Sequence, residues 1–226
     1  MTGTAPDVSE LVAPTGPAAA IVLAGGRAAR LGGLDKGALE IGGRTLLARV
    51  LDAVATAGIG AWRTVVVGGE GPLPDGVRRT REEPAFGGPL AALGAGLALL
   101  AGDDTDATDE VLVLACDLPR AASLVALLPA EVPAGSDGVV VRDGAGRDQW
   151  LAARYRVLAL REAVSAVATT SPTGLTGLPL RAAVGRLRLL RVDDDGGASL
   201  DIDTPADLAR ARATMDVPSS HREDES

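Results

Sequence analysis

The chain has 226 residues with a formal net charge of −8, and 46% of them are hydrophobic although only 2% are aromatic. This length suits one α/β domain, and the acidic balance argues against nucleic-acid and anionic-membrane partners, both of which favour basic surfaces. The single cysteine excludes an intramolecular disulfide, and the only histidine, His221, lies in a polar tail, which argues against a histidine-based zinc site and Ser-His-Asp catalysis within one chain.

Both ends of the chain have the composition of disordered segments. Residues 1–17 are rich in Pro, Thr, Gly and acid, and residues 216–226 are almost entirely polar. We therefore expect one domain over residues 18–215, between two disordered segments. The sequence contains no apolar run of membrane-spanning length and no signal-peptide pattern, which predicts a cytoplasmic protein.

Within that domain, apolar runs of strand type alternate with helical patterns. We predict strands, in chain order, at residues 18–23, 38–41, 64–67, 111–115, 139–141, 151–155 and 187–192. We predict helices at residues 45–57, 89–101, 121–128, 157–168 and 205–214, the last with Thr204 as its N-cap. Such alternation is typical of a mostly parallel sheet with helices on both faces.

A glycine-rich loop with three cationic residues follows the first predicted strand. The run Leu23-Ala24-Gly25-Gly26 continues through Arg27 and Arg30 to Lys36, the only lysine among 22 cationic residues. The backbone N–H groups of such a loop can cradle phosphates, and a lysine adds a compact positive charge. The loop matches neither the P-loop nor the G-x-G-x-x-G pattern, so an ATPase or nicotinamide site is disfavoured. It predicts a triphosphate site of another kind, and the alternative is a surface loop with a solvated lysine.

Two acidic segments are candidate metal ligands. Asp117 lies just past the predicted strand 111–115, where a carboxylate could hold Mg²⁺, cap the next helix or lie in a solvated turn. In Asp201-Ile202-Asp203, the two acids share one face of an extended segment and Ile202 points to the other. This segment could complete a metal site or could be a polar approach to the last helix.

Three further features have simpler interpretations. Residues 82–89 form a second glycine loop that opens a helix, and its N–H groups could meet a base or a phosphate, or form a plain turn. Cys116 is interpreted as a small buried residue, because no base is available to activate it. The run Asp193-Asp194-Asp195 is interpreted as a solvated turn.

Taken together, these motifs resemble the molybdenum cofactor guanylyltransferases. The resemblance rests on the run from Leu23 to Lys36, on Gly88-Pro89-Leu90, and on the segments 115–119 and 203–208, which occur in the family's order. It covers residues 19–213. The fold that it implies is a Rossmann-like three-layer α/β sandwich with a mostly parallel, mixed central sheet.

The resemblance also implies roles for individual residues. It assigns catalysis to Lys36, Arg30 and Asp117, and Mg²⁺ binding to Asp117 and Asp203. The nucleotide-binding residues that it implies are Leu23, Ala24, Gly25, Gly26, Lys36, Gly68, Glu83, Gly88 and Asp117.

Three positions depart from the family pattern. Gly68 stands where Asn is usual, and the acid before the Gly-Pro-Leu loop is Glu82 or Glu83 rather than Asp. The segment Asp201-Ile202-Asp203-Thr204-Pro205 has a form that is also usual in the related cytidylyltransferases.

The function implied by the resemblance is the transfer of GMP from GTP to the phosphate of the molybdopterin cofactor, with release of pyrophosphate. The expected cofactor is Mg²⁺, and the expected partners are GTP, a molybdopterin-type acceptor, and molybdoenzymes or their chaperones. The alternatives are a CTP-dependent enzyme for the same pterin, another NTP:phosphate nucleotidyltransferase, and a non-catalytic nucleotide-binding partner of a molybdoenzyme.

Overall fold

The computed structural model describes residues 19–25, 35–101 and 110–215. Within these ranges the strands are β1 (Ala19–Leu23), β2 (Glu40–Ile41), β3 (Arg44–Thr45), β4 (Thr64–Val67), β5 (Arg78–Thr80), β6 (Glu110–Ala115), β7 (Gly138–Arg142), β8 (Asp148–Arg156) and β9 (Leu189–Asp193). The helices are α1 (Leu46–Thr56), α2 (Pro89–Leu100), α3 (Ala121–Leu127), α4 (Val157–Thr170), α5 (Arg181–Val184) and α6 (Pro205–Met215). The two predicted disordered segments, residues 1–17 and 216–226, lie outside the described residues.

Seven of these strands form the main sheet, in the order β5-β4-β1-β6-β8-β7-β9. Strand β1 is parallel to both of its neighbours, β4 and β6, whereas β8 is antiparallel to β6 and to β7. Every residue of β1 is buried, as expected for a strand covered on both faces. The prediction of a mostly parallel, mixed sheet is confirmed.

Helices cover both faces of the sheet and bury two separate apolar clusters. One cluster contains Leu90 and Leu93 of α2 together with Leu160 of α4. The opposite cluster contains Val50 of α1 and Leu124 of α3. The predicted three-layer sandwich is therefore also confirmed. None of the described helices has the length and apolar character needed to cross a bilayer.

The predicted elements agree with the structure except where sequence signals are short or polar. The predicted strand over residues 38–41 is only β2, because Lys36–Ala38 forms a 3-10 turn instead. The strand β5 was not predicted, since its residues are polar, and the single turn of α5 is too short for a periodic pattern. A tight turn at Gly42-Gly43 joins β2 to β3, and both residues have the positive φ that a hairpin turn needs.

A third apolar cluster brings the C-terminal part of the chain to the first part. Ile202 packs with Ile41 and Leu46, and Leu208 and Met215 of α6 pack against them. This packing places the segment just before α6 beside the 3-10 turn that begins at Lys36. Residues from opposite ends of the domain therefore meet at one edge of the sheet.

Candidate functional site

The loop after β1 is held by both neighbouring strands. The N–H of Ala24 donates to the carbonyl of Val67 at 2.8 Å, and the N–H of Cys116 donates to the carbonyl of Leu23 at 3.0 Å. The chain then passes Gly25, beyond which Gly26 and Arg30, two of the predicted site residues, lie outside the described residues. The described start of the loop thus lies at the carboxyl edge of the sheet, where ligands bind in such folds.

Gly68 supports this loop by having no side chain. Its φ is +82°, and an added Cβ would lie 2.8 Å from Cα of Gly25 and 2.9 Å from its backbone nitrogen. A side chain of any kind would therefore displace Gly25. Gly68 was predicted to bind nucleotide, but it is not among the residues that line the cavity described below.

Lys36 lies between two carboxylates. Its Nζ donates to Oδ2 of Asp117 at 2.7 Å and also to Oδ1 of Asp203. Asp35 positions the lysine by accepting the N–H of Gly37 at 2.9 Å, which starts the 3-10 turn. Partial burial lowers the pKa of Lys36, but hydrogen bonds and charges of the two carboxylates outweigh it and raise the pKa above its usual range. The ammonium therefore stays charged.

Three carboxylates converge at this point. One oxygen from each of Asp117, Asp201 and Asp203 lies within 4.8 Å of the others. Partial desolvation, followed by the charges of Asp203 and Asp117, raises the pKa of Asp201 above its usual range. The single positive charge of Lys36 does not balance three carboxylates, so the cluster carries an excess of negative charge. Carboxylate oxygens are ligands that Mg²⁺ prefers. The donor set fits Mg²⁺, and it includes Asp201, which was not among the two predicted ligands.

The structure decides the two alternatives that the sequence left open for these acids. Asp117 does not cap α3, whose N-cap position is Arg120, so the capping interpretation of Asp117 is wrong. Thr204 does cap α6, because its Oγ1 accepts the N–H of Asp207 at 3.2 Å while Asp207 accepts the N–H of Thr204 at 2.7 Å. Ile202 is buried on the opposite face, as predicted, so the segment both approaches a helix and presents two acids.

Asp194 is not part of a solvated turn, contrary to the sequence interpretation. It is 3% exposed, and its carboxylate accepts the N–H of Ala198 at 2.9 Å, the N–H of Ser199 at 2.6 Å and the hydroxyl of Ser199 at 2.7 Å. Burial raises the pKa of Asp194, but the bonds from Ser199, Ala198 and Gly196 lower it further, to below its usual range. Asp194 thus shapes the loop that leads to Asp201.

A cavity of about 840 Å³ opens at this edge of the sheet. Its lining includes most of the residues that the sequence singled out, namely Leu23, Ala24, Gly25, Lys36, Gly88 and Asp117, together with Asp201. Cys116 also lines it but is 5% exposed, and burial raises the pKa of its thiol, in keeping with the predicted small buried residue. Asp203 reaches the cavity edge only through Lys36 and is not a lining residue.

The second glycine loop forms one wall of the cavity. Glu82 and Phe86 line it, whereas the exposed Glu83, which was predicted to bind nucleotide, does not. Oε1 of Glu82 accepts the N–H of Phe86 at 3.0 Å, and its buried Oε2 has no hydrogen-bond partner among the described residues. Gly88, with φ +94°, begins α2. Because Glu82 and Glu83 are adjacent, nothing in the sequence alone could have shown which of them faces inward.

Fold and site together define a three-layer α/β protein whose cleft lies beside a cluster of one lysine and three carboxylates at the carboxyl edge of a mixed sheet. Its family follows from comparison with known sequences. The model of the MobA-like NTP transferase domain matches residues 20–175, and the chain belongs to this family.

One curated relative is the molybdenum cofactor guanylyltransferase of Serratia proteamaculans. It is 41% identical over 103 residues, which are 44% of this chain and 48% of that protein. The match therefore spans about half the length of the relative.

Solved structures share the fold at lower identity. Molybdopterin-guanine dinucleotide biosynthesis protein A from Archaeoglobus fulgidus is 20% identical, with a TM-score of 0.59 over 86% of this chain and 97% of that one. A homologue of Rv0371c from Mycobacterium sp. strain JC1 is 24% identical, with a TM-score of 0.62 over 88% and 96%. The 2-C-methyl-D-erythritol 4-phosphate cytidylyltransferase of Thermus thermophilus is 20% identical, with a TM-score of 0.57 over 88% and 100%.

Proposed function

We propose that this protein transfers GMP from GTP to the phosphate of a molybdopterin-type acceptor and releases pyrophosphate. The observation that carries the proposal is the contact of Lys36 with Asp117 and Asp203, directly beside the loop that starts at Leu23. The family and the guanylyltransferase of Serratia proteamaculans support the choice of reaction.

The reaction does not require a proton-transfer group of the protein. A phosphate oxygen of the acceptor attacks the α-phosphorus of GTP, a new P–O bond forms, and the bond to the pyrophosphate oxygen breaks. A phosphate is already ionised near neutral pH, so no general base is needed. Catalysis then consists of orientation and charge neutralisation, for which Lys36 supplies a permanent ammonium in a partly buried position.

The acidic cluster would hold the metal. Asp117, Asp201 and Asp203 offer the oxygen donors, and a bound Mg²⁺ would neutralise charge on the phosphates of the nucleotide. Arg30 keeps its predicted catalytic role as a proposal that rests on the resemblance alone.

Glu82 is the residue that we propose reads the base. Guanine presents two N–H donors on one edge, at N1 and at the 2-amino group, and a carboxylate accepts such a pair well. Oε1 of Glu82 is oriented by the N–H of Phe86, and Oε2 lacks a hydrogen-bond partner in the part of the chain that the structure describes. Cytosine has only its 4-amino donor and offers less to a carboxylate. The Asp201-Ile202-Asp203 form favours the CTP alternative, so the base preference needs a direct measurement.

A nucleotide panel tests this function. Thermal shifts with GTP, CTP, ATP and UTP in the presence of Mg²⁺ should be largest for GTP, since ligand binding raises stability by mass action. Pyrophosphate release from GTP that depends on molybdopterin separates an enzyme from a non-catalytic nucleotide-binding protein. A clear preference for CTP would move the protein to the cytidylyltransferases. Docking to molybdoenzymes or their chaperones, and a cytoplasmic location, stay predictions.

A further inference from the structure

The strand β8 is irregular where it borders the cavity. Val140 of β7 pairs with Ala153, but the next residue, Val141, pairs with Gln149. Trp150, Leu151 and Ala152 therefore have no partner in β7, which makes this part of β8 a bulge. Bulges re-aim side chains and are frequent beside active sites.

The bulge changes which face its side chains use. Along a regular strand neighbouring side chains alternate between faces, yet Trp150 and Leu151 both pack against the cluster that contains α2 and α4. The hydroxyl of Tyr155 donates to the carbonyl of Trp150 at 3.0 Å, and Tyr155 is fully buried. Burial raises the pKa of Tyr155, so its hydroxyl keeps its proton and the bulge stays pinned.

The bulge forms a wall of the cavity, with an apolar and a polar part. Trp150, Leu151 and Leu180 contribute apolar surface, and Gln149 contributes an amide. Nε2 of Gln149 donates to Oδ2 of Asp143 at 2.8 Å, which fixes the amide and leaves its oxygen able to accept a hydrogen bond. A flat apolar surface with one amide at its border suits a planar ring that carries polar atoms along its edge.

The order of the strands separates this wall from the base-reading wall. Glu82 follows β5, the first strand in the order β5-β4-β1-β6-β8-β7-β9, whereas the bulge lies in β8, the fifth strand. Asp117 follows β6 and so lies between them. If the nucleotide base lies beside Glu82, the second substrate approaches the acidic cluster from the side of β8.

We propose that the β8 bulge, residues 149–152, is the subsite for a flat heteroaromatic ring of the acceptor. The ring stacks on the indole of Trp150, and Gln149 accepts a hydrogen bond from a ring-edge N–H. Tyr155 acts as a positioning residue, because it holds the backbone of Trp150. This inference rests on the proposed function, since it names the chemistry of the second substrate for the same reaction.

Tryptophan fluorescence gives a direct test, because the chain has only two tryptophans. Trp62 is 56% exposed and is not a cavity residue, so the full-length Trp62→Phe protein reports on Trp150 alone. The probe is 6-hydroxymethylpterin, which absorbs where tryptophan emits. We expect saturable quenching of Trp150 by the pterin. Glucose 1-phosphate, a phosphate acceptor without an aromatic ring, should produce none.

Substitutions at the wall then separate stacking from general folding. In pterin-fluorescence titrations, Trp150→Ala should weaken pterin binding about tenfold or more, the usual worth of one stacked base, while Trp150→Phe keeps most of the affinity. Tyr155→Phe, which loses only the hydroxyl, should raise the KM for the acceptor and leave the affinity for GTP unchanged. If Trp150→Ala shows no cooperative thermal transition, the bulkier Trp150→Leu takes its place.

The outcomes distinguish failure of the subsite from failure of the function. Unchanged pterin affinity in Trp150→Ala or Trp150→Leu, or a loss of GTP affinity instead, would overturn the subsite. GTP binding without saturable pterin quenching would also overturn the subsite and leave GTP-dependent transfer intact. Pterin quenching in a protein that does not bind GTP would instead contradict the proposed function.

Discussion

The Nζ atom of Lys36 donates a hydrogen bond of 2.7 Å to Oδ2 of Asp117, which lies 81 positions further along the chain. The same ammonium bonds Asp203, 167 positions away. One lysine thus joins three parts of the chain: the turn after the glycine loop, the end of β6, and the approach to α6. Because these contacts are made by side chains, the role of each of the three residues can be tested by a single substitution.

The substitution Lys36→Arg keeps the charge but replaces a compact ammonium by a larger planar fork. The side chain of Lys36 is only 22% exposed and already bonds two carboxylates, so the fork has to displace one of them. We expect turnover to fall about 100-fold, close to the loss in Lys36→Ala, since a misplacement of about 1 Å costs that much. Pyrophosphate release measures it. A variant that retains most of its turnover would show that any cation serves here.

The substitution Asp117→Asn removes one negative oxygen from the acidic cluster while keeping the shape of the side chain. A neutral amide is a poor ligand for a hard dication, and even the outer partners of a metal site are worth about 10–100-fold. We expect Mg²⁺-dependent turnover to fall about 100-fold or more, with thermal unfolding still cooperative. Asp75→Asn, at an exposed acid outside the cavity, is the matched control. Similar Mg²⁺ dependence in both variants would show that Asp117 is not a ligand of the proposed metal.

Glu82 and Glu83 are adjacent acids, of which only Glu82 lines the cavity. Glu82→Gln puts an N–H donor where guanine needs an acceptor, so the preference for GTP over CTP should fall about tenfold or more. Glu83→Gln, at an exposed neighbour, should leave that preference unchanged. The ratio of kcat/KM for the two nucleotides measures the effect. The reverse result would assign base recognition to Glu83, which the resemblance implied as a nucleotide-binding residue.

Alanine substitutions at two glycines with nearly equal φ distinguish the cost of backbone strain from the cost of a steric collision. Gly68 has φ +82°, and Gly25 atoms lie 2.8 Å and 2.9 Å from the position that a Cβ would take, whereas Gly58 has φ +81° and no described atom within 4 Å of that position. Gly58→Ala should cost about 1–2 kcal/mol, the strain of a left-handed residue alone. Gly68→Ala should cost more and also weaken GTP binding, because Gly25 has to move. Equal losses of stability in urea, with GTP affinity retained, would contradict this role of Gly68.

Asp194 makes folding stability depend on pH. Its pKa is lower in the folded protein than in the unfolded chain, where it is about 4. The contribution of Asp194 to the free energy of unfolding is therefore complete above about pH 4, and it is lost as the pH falls through the folded-state pKa. Asp194→Asn should therefore cost about 1–3 kcal/mol at pH 7, because buried N–H and hydroxyl groups lose a charged acceptor. Urea unfolding of wild type and variant at several pH values should show this difference shrinking in acid. Asp195→Asn, at an exposed neighbour, should show no such trend. A difference that is the same at pH 7 and at pH 3 would contradict the assignment to Asp194.

The sequence by itself determined the fold class and singled out six of the residues that line the cavity, namely Leu23, Ala24, Gly25, Lys36, Gly88 and Asp117. Buried strands such as β1 are continuous apolar runs, and helices such as α1 repeat their apolar residues every three or four positions, so both are visible locally. The motifs around Lys36, Asp117 and Asp203 were recognisable because their residue types and order carry the chemistry. Where local signals are weak, as in the polar edge strand β5, prediction failed.

Only the tertiary structure decided which neighbour in a run of similar residues faces inward. It buried Asp194 but not Asp193 or Asp195, and it turned Glu82 rather than Glu83 into the cavity. It also added Asp201 to the acidic cluster and placed a bulge in β8 at Trp150. The physical reason is that such choices depend on strand register and on contacts between distant segments, whose free energy is set by packing and hydrogen bonding rather than by any local pattern of residues.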